Sequence, residues 1–108
     1  MSSELYTRND LIAYTLIYAA MADYSISEEE KGFIIDRVGK KGYKKMLRVY
    51  EEDSDLEGLE RIKLLKDEFF PGDEGKEELL SLIEDIFKSD HSFDALENVV
   101  YRGMRKLL

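Results

Sequence analysis

Apolar residues recur at three- and four-residue spacing through almost all of this chain, and no stretch alternates cleanly with period two. Such spacing gathers apolar side chains on one face of a helix but scatters them over both faces of a strand, so burial selects helices throughout. The sequence therefore predicts an all-α fold, a compact bundle of about six helices in a single domain spanning residues 1–108. A chain of this length buries somewhat over ~60% of the surface its unfolded form exposes, enough to fold without a disulfide or a metal.

Residues 9–23 are apolar nearly all round (Leu11, Ile12, Leu16, Ile17, Ala19, Ala20), which places that helix in the middle of the bundle. The apolar run at 11–22 is far shorter than the ~20 residues a membrane-spanning helix needs, so it reads as a core helix. A second helix, 28–38, opens on the capping box Ser27-x-x-Glu30, turns Phe33, Ile34 and Val38 inward, and closes at Gly39. A third, 41–52, carries Tyr43, Met46, Leu47 and Tyr50 on one face with lysines opposite. The fourth, 54–70, opens on Ser54-x-x-Glu57, repeats Leu56, Leu59, Ile62, Leu65 and Phe69, and is stopped by Pro71-Gly72, the lone proline. The fifth, 73–89, is expected to bury Leu79, Leu80, Ile83, Ile86 and Phe87, and the sixth, 95–108, to bury Leu96, Val99, Val100 and Leu107.

One pattern occurs twice. Asp23, Ile26, Ser27 and Glu30 near one end match Asp90, Phe93, Asp94 and Glu97 near the other: an aspartate, a large apolar residue, a capping residue and a glutamate at identical spacing. Sliding the chain by that offset also lays Ile12 on Leu79, Leu16 on Ile83, Ala19 on Ile86 and Phe33 on Val100, so core positions coincide on both sides of the turn. The reading is a pseudo-two-fold repeat of helix-turn-helix units, about 9–38 and 73–108, with the third and fourth helices between them. The plainer alternative is that two amphipathic helices aligned at their caps match moderately well.

The aspartate of each unit falls at the C-terminal end of a helix, where the helix dipole disfavours negative charge by ~0.3 to 1 kcal/mol. Helix capping alone does not require it, because the box at Ser54 has Tyr50 and Asp53 where the repeat has the aspartate and the apolar residue. Two readings fit. In one, the carboxylate accepts main-chain N–H groups and fixes the corner. In the other, Asp23 with Glu30, and Asp90 with Glu97, offer hard oxygen ligands to a divalent cation such as calcium or magnesium. Two carboxylates per turn is sparse for an ion that takes 6 to 8 oxygens, so weak affinity is expected.

The stretch from Ala19 to Glu30, followed by Lys31-Gly32-Phe33-Ile34, resembles the signature of the tellurite-resistance TerB-like family, and Lys88 to Glu97 resembles its second copy. The resemblance implies an all-helical domain with internal pseudo-symmetry, a divalent-cation site at Asp23, Glu30, Asp90 and Glu97, and a stress-response protein with protein partners, membrane-associated ones included. Where the family has Gly directly after the aspartate, this chain has Tyr24 and His91, so those turns must differ or carry strain.

With 24 acidic against 16 basic residues the net charge is −8, which disfavours nucleic acid and anionic lipid as partners of the whole chain. Within it, Arg37, Lys40, Lys41, Lys44, Lys45 and Arg48 concentrate positive charge; they form either a solvated helix face or a dock for an acidic partner. The chain has no cysteine, which excludes thiol chemistry and fits a reducing compartment, and its first ten residues show no basic segment leading into an apolar run. A cytoplasmic protein is expected.

Catalytic constellations are lacking. The single histidine, His91, cannot build a multi-histidine zinc site, and no Gly-x-Ser-x-Gly elbow or phosphate loop accompanies it. Asp53-x-Asp55-x-Glu57-Gly58 begins like a calcium-binding EF-hand loop, but its twelfth position is Leu64 rather than glutamate. The functional expectation is a small non-enzymatic interaction module, with a purely structural or regulatory adaptor docking through the basic face as the alternative. A carboxylate-based enzyme is the remote third reading, since it needs two carboxylates whose pKa values are pushed apart in a cleft.

Overall fold

The computed structural model describes residues 5–21, 25–89 and 95–108. They form five helices: α1 (Arg8–Ala20), α2 (Glu28–Glu52), α3 (Asp55–Phe69), α4 (Gly72–Lys88) and α5 (Ala95–Leu107), with no strand among the described residues. The radius of gyration, 12.6 Å, is that of a compact chain of this length. No helix among the described residues is long and apolar enough to cross a membrane.

Three of the helix starts are closed by reciprocal capping boxes. Ser27 with Glu30 and Ser54 with Glu57 pair as their spacing predicts, and Thr7 with Asp10 does the same at the head of α1. Each box satisfies two otherwise unpaired groups within one turn, contributing about 1 kcal/mol. At the other end of α3, the Lys66 ammonium donates to the Gly72 carbonyl at 3.3 Å and ties the last turn to the Pro71 corner.

The helix count differs from the expected six because the second and third expected segments are joined. Gly39 has φ 83° and ψ 159°, a backbone region essentially open to glycine alone. The chain leaves the helix at that single residue and re-enters it at once, so within α2 the two expected helical segments meet end to end at a kink, with no loop between them.

Helix α1 is the centre of the bundle and touches all four others. Leu11, Ala13, Leu16, Ile17 and Ala19 are wholly inaccessible, because a helix apolar all round can be satisfied only by neighbours on every side. Leu79, Leu80, Ile83, Ile86 and Phe87 of α4 are buried as their spacing predicts. Two core assignments are corrected. Leu56 and Val99, expected inside, are 66% and 65% exposed. On α5 the inward stripe runs through Val100, Met104 and Leu107, with Met104 as the buried anchor; Val99 stands one position off that stripe.

Candidate functional site

Of the four carboxylates expected to form a cation site, Asp23 and Asp90 lie outside the described residues. Glu30 is buried at the head of α2, where its Oε1 accepts the Ser27 N–H at 2.9 Å while its own N–H donates to Ser27 Oγ at 3.1 Å. Glu97 is buried in the first turn of α5. Among the described residues no three histidine, aspartate or glutamate side chains converge as a metal cluster.

The most constructed polar arrangement lies elsewhere, at Asp53. This residue caps the C-terminus of α2, the position where a carboxylate is disfavoured by the helix dipole. Arg61, from the second turn of α3, offsets that: its Nε donates to Asp53 Oδ2 at 2.7 Å and its second terminal nitrogen to Oδ1 at 3.0 Å, a bidentate pair nearly out of solvent. Tyr14 of α1 donates its hydroxyl to Asp53 Oδ2 at 2.7 Å, and Arg61 also donates to the Tyr6 hydroxyl at 2.9 Å. Gly58 makes this close approach possible, since a Cβ there would stand 2.8 Å from the Tyr14 oxygen. Tyr50 meets both Tyr14 and Tyr18 edge-on, with ring centroids 6.0 and 6.2 Å apart.

A second pair sits close by, Lys45 to Asp10 at 2.7 Å, and the Lys45 ammonium lies 5.6 Å from the Tyr6 ring. Asp10 thus serves the cap of α1 and anchors α2 at once. Together these contacts join the segment before α1, α1 itself, the end of α2 and the start of α3.

The protonation states follow from these contacts. The Arg61 hydrogen bonds hold the Asp53 carboxyl below the usual carboxylate range, with Tyr14 adding to the effect and burial opposing it. Burial, then the Asp53 carboxylate, drives the Tyr14 phenol far above the usual tyrosine range. A general acid or base works best with a pKa near the working pH, and both groups are pushed away from it.

Tyr18, Tyr43 and Tyr50 are raised as well, each chiefly by burial. An unfolded tyrosine ionises near the ordinary value of 10.0, whereas these retain the proton to higher pH in the folded chain. Their contribution to stability is therefore complete below pH 10 and is lost as pH rises beyond it. In an alkaline titration, the phenolate absorbance of these four should appear together with loss of helical circular dichroism; all seven tyrosines titrating near pH 10 in an intact helix would contradict it.

The basic face expected on residues 37–48 is present and solvent-exposed. At about 100° per residue, Lys40, Lys41, Lys44, Lys45 and Arg48 fall within an arc of about 140° on α2, opposite the buried Tyr43 and Met46. Lys45 is engaged by Asp10, and Arg37 stacks 3.7 Å from the Phe33 ring centroid. Lys40, Lys41, Lys44 and Arg48 make no ion pair among the described residues.

No family model, no curated protein and no solved structure matches this chain.

Proposed function

We propose that this chain is a small non-enzymatic interaction module that binds an acidic segment of a partner protein through the basic face of α2. The observation that carries this reading is the row of exposed cations, Lys40, Lys41, Lys44 and Arg48, that make no ion pair among the described residues of a chain whose net charge is −8. Like charges four residues apart on a helix, here Lys40 with Lys44 and Lys44 with Arg48, destabilise it by ~0.2 to 0.5 kcal/mol a pair. Carboxylates of a partner would relieve that repulsion, as Asp10 already does for Lys45 at 2.7 Å.

The binding probe is a fluorescein-labelled peptide rich in glutamate and aspartate, followed by anisotropy. Binding should weaken as salt rises, and the combined Lys40→Glu, Lys44→Glu, Arg48→Glu variant should lose about tenfold or more in affinity. A variant that binds equally well overturns the assignment. Duplex DNA, offered in parallel, should bind more weakly because of the overall negative charge.

The TerB-like resemblance of residues 19–34 and 88–97 supports the same class of protein, and with it the finer reading of two related helix-turn-helix units in a cytoplasmic stress-response module. A divalent cation at Asp23, Glu30, Asp90 and Glu97 belongs to that reading. Thermal melts in EDTA and in millimolar calcium or magnesium test it, since ligand at a hundred times its Kd adds ~2.7 kcal/mol. Superimposable melts would remove the cation.

A further inference from the structure

Helix α5 packs on α4 and α1 and leaves an apolar trough of about 430 Å³ along its flank towards α3. Tyr18, Leu59, Val100, Gly103, Met104 and Leu107 line it, with Lys106 at the edge. Gly103 is the odd member: it occupies a helix interior, where alanine is more favourable, and a Cβ there would meet nothing within 4 Å. Its effect is to leave the trough open at that point.

The two helices that border the trough also carry three of the four exposed large apolar side chains among the described residues: Leu56, Leu64 and Val99. On α3, Leu59, Lys63, Leu56, Asp67, Glu60 and Leu64 fall, in that angular order, within about 140° of arc, so a ridge of leucines carrying two carboxylates and one ammonium runs directly beside the trough. Along the ridge itself, Glu60, Lys63, Leu64 and Asp67 surround a shallower depression of about 270 Å³. On the other bank, α5 presents Arg102 and Lys106, four residues apart. Neither these two cations nor Glu60 and Asp67 make an ion pair among the described residues.

We infer that this face is self-complementary and that its occupant is a second copy of the chain. The ridge of one copy, led by Leu56 and Leu64, seats in the trough of the other where Gly103 leaves room. Glu60 and Asp67 of each copy meet Arg102 and Lys106 of its mate. Ridge and trough share α3, so one two-fold axis satisfies both copies with the same contacts. A trough suited to a small ligand would not need the exposed leucines and valine beyond its rim. The net charge of −8 per copy repels at long range, but at physiological ionic strength that repulsion is screened beyond about 8 Å, while the paired charges act at contact. The inference is independent of the basic face of α2, which lies on another helix.

Sedimentation equilibrium of the full chain, from micromolar to high-micromolar concentration at physiological salt, should show a monomer–dimer equilibrium. Leu56→Glu with Val99→Glu, at positions exposed in the monomer, should weaken it at least about tenfold with an unchanged melting temperature at low concentration. Glu60→Lys alone should weaken it too, and Glu60→Lys with Lys106→Glu should recover the affinity, an exchange that tests the pairing itself. A chain that stays monomeric throughout, or a dimer indifferent to these substitutions, overturns the inference.

Discussion

Replacing Arg61 by leucine should be among the most damaging single changes in this protein, costing about 3–5 kcal/mol, the range seen when one partner of a buried ion pair is removed. The expectation follows from what stays behind. Asp53 would remain at the C-terminus of α2, almost out of solvent, with only the Tyr14 hydroxyl to answer its charge. Exchanging both partners, Asp53→Asn with Arg61→Leu, should recover much of the loss, because no charge is then stranded. Urea unfolding of the two variants reads the difference, and a loss below about 1 kcal/mol for the single change would remove the clasp from the account of stability. The pH dependence carries the matching sign. Because the folded-state pKa of Asp53 is lowered, its contribution is complete above the ordinary value of 3.8 and disappears as pH falls through the folded value below it.

Phe87→Ala should cost a similar amount, about 3–5 kcal/mol, for an entirely apolar reason. The ring is among the largest fully buried side chains and lies on α4, which packs on every other helix. Its removal forfeits transfer free energy and leaves a cavity that five helices cannot readily collapse around. Leu56→Ala and Val99→Ala supply the contrast. Both were expected in the core from helical spacing, yet both stand in solvent and should change monomer stability by no more than about 0.5 kcal/mol. If Leu56→Ala proved as harmful as Phe87→Ala, the packing of α3 would have to be redrawn.

Features closed within one or two turns were legible in the residues themselves. The capping boxes at Ser27 and Ser54, the backbone break at Gly39, the stop at Pro71 and the enclosure of α1 all follow from groups three or four positions apart. The exposed basic row on α2 was legible for the same reason, since lysines opposite a buried tyrosine and methionine fall on the outer face of the helix.

Features that depend on how helices cross were not. Tyr14 meets Asp53 across 39 positions and Lys45 meets Asp10 across 35, and no local periodicity encodes either distance. The one signal was Asp53 itself, a carboxylate at a helix C-terminus that needed a nearby cation to hold it. Likewise Leu56 and Val99 match the apolar spacing of their helices but miss the buried face, because the final rotation of a helix is chosen by the neighbours it packs against. Backbone hydrogen bonds and apolar period determined, from the sequence alone, that the chain is helical and where its helices begin. Tertiary packing decided which side chains meet, because ion pairs and cores are made by groups that only the folded chain brings within a few ångströms.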